Sequence, residues 1–506
     1  MKTDWKTDFR EETLLSFYRD HLVRSLVPFW TKAADHEYGG FFTCFTNEGD
    51  RLASTDKYVW SQGRLVWVFA KLAAGVSLPY GPAEREAFMK LARMGARFLM
   101  DHCVLENGSC AFLLGRDGTP KPADESGRLD VSIFADGFVV LGLSKYAAAA
   151  GDRKAFAFAL ELYDSIGRRL AENRFMTHPY PIPKGYRAHA VPMIMLNVTQ
   201  ELLEAAEALD ADPEGRHVFR LRGALHRYLD EVFTFADENG VLHEMRPVAG
   251  SGRGSDAGSG TGGFRHAAVR DGGPSAGGRA CVGKESGTAA VADEGKETGV
   301  KAGEGISPEA DAADAGEGRL LDRYCNPGHA LEDMWFAIHA ARKLGREGEI
   351  RRAAMVIRKM LEIGWDAECG GLFLFADQDG GPPKGGIAGC EREPMVLQIQ
   401  SNWDNKLWWV HSEALYASLL GWQCTGDDAF LHHYRRLHEY VFSTFPHPDP
   451  AIGEWIQIRD RLGRPVQKVV ALPVKDPFHI IRNVVLIIEL LANRLERNGT
   501  GNGGIG

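Results

Sequence analysis

Asn326-Pro327-Gly328-His329-Ala330-Leu331-Glu332 opens the stretch NPGHALEDMWFAIHAAR at 326–342, and it has the pattern of a helix start. Asn326 suits the cap and Pro327 the first helical position. Leu331, Met334, Trp335 and Ile338 then recur at helical spacing. His329 falls at the third helical position, beside free backbone N–H groups, and Glu332 lies one turn on along the same face. Asp476-Pro477-Phe478-His479 repeats the order of cap, proline, one residue and histidine. Matched histidines at two proline-started helices are the feature to explain.

Working outward, helical spacing marks twelve segments: 9–33, 61–76, 83–102, 130–150, 153–173, 191–209, 214–234, 327–344, 347–364, 406–422, 427–444 and 477–495. The loops after the odd-numbered segments look alike. They read DHEYGGFF at 35–42, ENGSCAF at 106–112, ENGVL at 238–242, DAECGGLF at 366–373 and AIGEWI at 451–456. Each joins an acidic or glycine turn to a short apolar run, as a β-hairpin does. One helix pair plus one hairpin is therefore an internal repeat. The expected fold is all-α, a toroid of six helix pairs, with the hairpins and a cleft at one end.

Residues 250–318 break the pattern. They are rich in Gly, Ala, Ser, Asp and Glu and contain no Leu, Tyr or Trp. Such a stretch cannot bury enough apolar surface to offset ordering, so it reads as a disordered insertion in a single 1–498 domain. Gly278-Arg279-Ala280-Cys281-Val282-Gly283-Lys284 nearly matches a phosphate loop, but Glu285 follows where Ser or Thr is needed and no strand precedes it. The tail 499–506 reads as flexible.

A net charge of -9 argues against nucleic acid or an anionic membrane as the main partner. The opening MKTDWKTDFREE has no apolar run, and no stretch reaches about 18 uninterrupted apolar residues. Eight scattered cysteines without a C-x-x-C pair read as reduced thiols. These features predict a cytoplasmic protein.

If the even-numbered helices form the inner ring, their N-termini share one end. Ser61 would cap the second and place Arg64 at its third position, matching His329 and His479. The helix dipole there disfavours imidazolium and keeps a histidine able to accept a proton. Glu332 would orient His329 or bind a sugar hydroxyl. Trp60, Trp403, Trp408 and Trp409 offer apolar faces of the kind that pack on sugar rings. Trp335 and Phe336 read as core, His36 as surface, and His189 and His432-His433, which show no partners in the sequence, as structural. No H-E-x-x-H motif is present, and the one G-x-S-x-G spacing, at 273–277, lies in the glycine-rich stretch with no strand before it to make a nucleophile elbow.

The chain resembles the N-acylglucosamine 2-epimerase family, which includes cellobiose 2-epimerases and aldose–ketose isomerases. The likeness rests on Trp30 with 35–42, Trp60-Ser61-Gln62-Gly63-Arg64, Pro192-Met193, Asn326-Pro327-Gly328-His329 with Glu332, Lys406 with Trp408-Trp409 and Glu413, and Lys475 with Phe478-His479 and Arg482. It implies an (α/α)6 barrel. It also implies His329 and His479 as acid/base catalysts with Arg64 beside them, and Trp60, Glu332, Trp403, Trp408, Glu413 and Arg482 around the substrate. Cellobiose epimerases carry a further histidine near the sixth helix, where 193–197 here reads MIMLN. A monosaccharide is therefore the expected substrate, with no cofactor or metal, and a homodimer is left open.

The implied chemistry is proton abstraction from C2 of an open-chain aldose, with Arg64 at the C1 oxygen and return of the proton from a second histidine. Return to C1 instead would make a ketose. An inverting glycoside hydrolase would need two carboxylates across a cleft, for which Glu332 and Glu413 are the pair to nominate. A sugar- or protein-binding module is a third reading, but binding alone does not need two bases.

Overall fold

Long amphipathic segments separated by glycine turns become twelve long helices in a computed structural model that describes residues 10–209, 215–248 and 318–501. Helix α1 runs through Glu11–His21, a wider-wound turn Leu22–Leu26 and Val27–Thr31. The others are α2 (Val59–Ala74), α3 (Pro82–His102), α4 (Ile133–Ala150), α5 (Arg153–Ala171), α6 (Ala190–Ala208), α7 (Arg216–Val232), α8 (Pro327–Leu344), α9 (Glu347–Ile363), α10 (Trp408–Thr425), α11 (Asp428–Thr444) and α12 (Phe478–Gly501). The expected insertion at 250–318 and the phosphate-loop-like 278–284 lie outside the described residues, except Gly318. Of the expected flexible tail, 499–501 belongs to α12 and 502–506 lies outside the described residues.

The even-numbered helices pack in a closed ring: α2 on α4, α4 on α6, α6 on α8, α8 on α10, α10 on α12, and α12 back on α2. Each odd-numbered helix covers one of them from outside, with α1 on α12. This is an (α/α)6 barrel. The two rings differ in pattern because they differ in burial. Outer helix α7 buries one stripe, Leu221, Ala224, Leu225, Tyr228, Leu229 and Val232. Inner helix α4 is buried nearly all round. That place accounts for its being the one described helix long and apolar enough to cross a membrane.

The hairpin loops are tighter than ladders. Single bridges close them, Ala34 to Phe41, Val104 to Cys110, Ala236 to Leu242, Trp365 to Leu372 and Pro446 to Trp455. Longer pairings tie the entrance of an even helix to the exit of the next odd one. Lys57–Tyr58 pairs with Leu113–Leu114, Tyr186–Ala188 with Met245–Pro247, Tyr324–Cys325 with Ala376–Asp377, and Lys406–Leu407 with Ile458–Arg459, all antiparallel. Buried lysines fasten these loops: Lys57 to Asp35 at 3.0 Å, Lys406 to Asp366 at 2.9 Å and Lys475 to Glu454 at 2.8 Å. A buried ammonium is tolerated only when its donors are used, and Lys57 also donates to the Gly39 and Arg116 carbonyls, each at 2.6 Å.

Helices α2 and α4 meet backbone to backbone. A Cβ on Gly63 would stand 2.2 Å from the Phe138 carbonyl oxygen, and one on Gly142 would stand 2.2 Å from that of Gly63. This crossing brings the Phe138 ring to the Arg64 guanidinium, 4.0 Å from its centroid.

Candidate active site

At the head of α8 the Asn326 side chain accepts from the His329 N–H at 3.2 Å, so His329 sits at the expected third position. At the head of α12, Asp476 Oδ1 accepts from the Phe478 N–H at 2.8 Å, but the helix starts at Phe478, so Pro477 precedes it and His479 takes the second position and not the expected third. The match expected at Arg64 differs further. Helix α2 starts at Val59, Ser61 caps nothing, and Arg64 lies more than one turn in. The chain enters α2 directly from the paired Lys57–Tyr58, which starts the helix two residues early. Arg64 nevertheless reaches the head of α12, where it donates to Asp476 Oδ2.

Both histidines pack against Trp409, with ring centroids 5.1 Å away for His329 and 5.6 Å for His479. Gly328 makes room for that indole, since a Cβ there would stand 2.4 Å from it. Each histidine also turns Nδ1 to a buried carboxylate. His329 Nδ1 is 3.2 Å from Glu244 Oε1, and His479 Nδ1 is 2.7 Å from Glu413 Oε1. With Nδ1 so engaged, Nε2 is the ring nitrogen each histidine has left to offer a ligand. His329 has 30% of its side chain exposed, against 7% for His479, so it is the more open of the two.

Glu332 does not orient His329, although it shares its helix face. Arg482 on α12 draws it away, donating from one Nη2 to Glu332 and, at 2.7 Å, to Glu413. Glu413 also accepts from Trp335 Nε1 at 2.7 Å. Burial raises the Glu413 carboxyl, but Arg482 and His479 more than reverse this and hold it low. Burial equally opposes the charge on Arg482, which Glu413 and Glu332 restore. Glu413 and Arg482, expected around the substrate, are thus buried and bound to each other, a positioning place beneath His479. Donor atoms of Glu332, Glu413 and His479 lie within 4.8 Å of one another, but the Arg482 guanidinium holds both carboxylates there.

The expected tryptophans separate. Trp60 stacks on Phe138 at 5.0 Å and lies 5.0 Å from the Arg64 guanidinium. Trp408 donates from Nε1 to the Asp476 carbonyl at 3.1 Å, tying α10 to the head of α12. Trp403 follows a short helix, Pro394–Asn402, and packs on Phe373 at 5.1 Å. His36 is exposed, and Trp335 and Phe336 are core, as read from the sequence.

Three residues escaped the sequence reading. Glu244 was not singled out, His189 was read as partnerless, and Asp333 went unremarked beside Glu332. His189 is fully buried, with Nε2 2.6 Å from Asp333 Oδ2 and Nδ1 3.6 Å from Glu244 Oε1. Burial lowers the His189 imidazole, but Asp333 and Glu244 outweigh it and push it up to about 9. Burial likewise raises Glu244, while His329 and His189 bring it down to about 2. The adjacency of His189 to Tyr186–Ala188, and of Glu244 to its partner strand, was a signal only once that pairing was known.

The chain matches the N-acylglucosamine 2-epimerase (GlcNAc 2-epimerase) family over residues 40–244 and 307–482. It is 28% identical to N-acylglucosamine 2-epimerase of Bos taurus over 96% of this chain and 94% of that protein. The human protein of that name gives 28% over 96% and 93%. A cellobiose 2-epimerase of Ruminococcus albus is 24% identical over 44% of this chain and 56% of that one. Among solved structures, a cellobiose 2-epimerase from Spirochaeta thermophila superposes with TM-score 0.63 at 17% identity, covering 97% of this chain and 100% of that one. A D-mannose isomerase gives 0.58 at 15%, covering 95% and 99%. These structures share the barrel. The family match spans the heads of α2, α8, α10 and α12, and on that ground the chain belongs to the N-acylglucosamine 2-epimerase family, among the carbohydrate epimerases.

Proposed function

We propose that the chain is a sugar 2-epimerase that interconverts C2 epimers of a monosaccharide, of the N-acylglucosamine/N-acylmannosamine or glucose/mannose type. One histidine removes the C2 proton of the open-chain aldose, and the C1 carbonyl oxygen takes up the charge as an enolate, which is an enediolate where C2 bears a hydroxyl. The other histidine returns a proton from the opposite face, which inverts C2. Arg64 stabilises the charge at the C1 oxygen. The observation that carries this reading is the pair His329 and His479, each with Nδ1 on a buried carboxylate and each against Trp409. The full-length likeness to N-acylglucosamine 2-epimerases, set against the partial likeness to the cellobiose enzyme, favours the N-acyl sugar.

The hydrolase reading loses its support. Glu332 and Glu413 place oxygens within 4.8 Å on one arginine. Inversion by hydrolysis needs carboxylates roughly 6.5–9.5 Å apart with water between them.

The test is a panel of N-acylglucosamine, N-acylmannosamine, glucose, mannose and cellobiose in D2O, read by NMR. The expected result is deuterium at C2 together with the C2 epimer. A ketose as first product would make the enzyme an aldose–ketose isomerase, and no exchange in any sugar would defeat the reading. His329→Asn and His479→Asn should each abolish net epimerisation yet retain exchange from one epimer, with opposite preference.

A further inference from the structure

We propose that Glu244, His189 and Asp333 form a buried chain of positioning residues behind His329, which fixes its ring for proton transfer. This rests on the reading of His329 as a catalytic base.

The chain is built by the fold. Tyr186–Ala188 pairs with Met245–Pro247, so His189 and Glu244, at the adjoining ends of the two strands, lie side by side. The His189 N–H donates to the Glu244 carbonyl at 2.9 Å, which fixes their backbones together. Asp333 comes from α8, one turn beyond His329 on the same helix. Hydrogen bonds join Asp333 Oδ2 to His189 Nε2 at 2.6 Å and Glu244 Oε1 to His329 Nδ1 at 3.2 Å; between them His189 Nδ1 stands 3.6 Å from Glu244 Oε1, a charge contact without a hydrogen bond. Glu244, His189 and Asp333 are all buried. A buried acid–base chain without a use is costly to keep.

The charges decide what it does. His189 and Asp333 share one proton, so the pair is neutral wherever that proton sits, and Glu244 carries one negative charge toward His329. Other groups near the chain alter this little. Tyr324 and Cys325 are buried and held protonated, and Glu332 is paired with Arg482. When His329 takes the C2 proton, the imidazolium finds Glu244 already aligned, which favours the charged ring. The outer pair keeps Glu244 ionised and in one orientation. Orientation of an imidazole by a carboxylate on its far nitrogen is the arrangement that serves a general base.

The experiment compares wild type, Glu244→Gln, Asp333→Asn and His329→Asn. The kcat and KM values are followed across pH with the epimer whose exchange is lost in His329→Asn, and thermal unfolding is followed in parallel. Glu244→Gln should lower kcat at the optimum about tenfold or more with little change in KM, because an unaligned base remains. Asp333→Asn removes the anchor of His189, so kcat should fall severalfold with KM unchanged. Wild-type kcat in folded Glu244→Gln would overturn the proposal, as would unchanged kcat in folded Asp333→Asn or a loss that appears in KM alone. If one variant does not fold, the other decides. Full activity in His329→Asn would instead remove the catalytic reading beneath it.

Discussion

Gly328→Ala tests whether the indole between the two histidines is part of the machinery. The added Cβ would stand 2.4 and 2.7 Å from two ring carbons of Trp409 and 2.9 Å from a Val410 methyl. Carbon atoms settle at about 3.5–4.0 Å, so the indole must retreat by about 1 Å. Overpacking of this kind costs about 1–3 kcal/mol, and alanine in place of glycine in a helix returns up to about 1 kcal/mol. The net loss of about 0–2 kcal/mol corresponds to a fall in Tm of no more than about 4 °C in a chain of this size. Activity should suffer far more, because a shift of about 1 Å in reacting groups can cost roughly a hundredfold. Calorimetry gives Tm, and NMR of the epimer mixture gives kcat and KM. A folded variant within about twofold of wild-type kcat would refute the reasoning, as would activity lost only in step with unfolding.

Arg64→Lys should lower kcat by at least about tenfold with a smaller rise in KM, since the charge stays while the forked donors go; unchanged turnover removes Arg64 from the mechanism. Asp35 gives a pH signature. Burial raises its carboxyl, but hydrogen bonds from Arg116 and Lys57 outweigh this and bring it to about 2. The stability it contributes is therefore present above its unfolded value near 3.9 and lost as pH falls toward 2. Asp35→Asn should cost about 3 kcal/mol near neutrality, and the gap in Tm from wild type should close between about pH 4 and pH 2. A gap that stays constant over that window would show that the carboxylate charge is not what fastens the loop.

Local features were legible in the sequence and long-range ones were not. The cap of α8 could be read because Asn326 and His329 are three residues apart. The twelve helices could be read because periodicity is also local. Glu332 was read as orienting His329 or binding a substrate hydroxyl, and the first of these gives way to Arg482, a partner 150 residues away. Glu244 is 85 residues from His329 and sits beside a short strand with no helical period. His189 looked partnerless because Asp333 is 144 residues on. The Ser61 cap failed at the join between strand and helix, where spacing alone cannot say which element takes the residue.

Helix α1 lies on α12, where Arg494 reaches Glu11 at 2.9 Å, and meets α11 through a hydrogen bond shared by Tyr18 and Tyr434 at 2.8 Å. Helix α12 carries both His479 and Arg482, while their partners Glu332, Trp335 and Glu413 belong to helices made earlier. On a ribosome α12 emerges after the helices that carry its partners, so Glu332 and Glu413 meet Arg482 only then. A chain stopped short of α12 should neither close the inner ring nor hold those two carboxylates together.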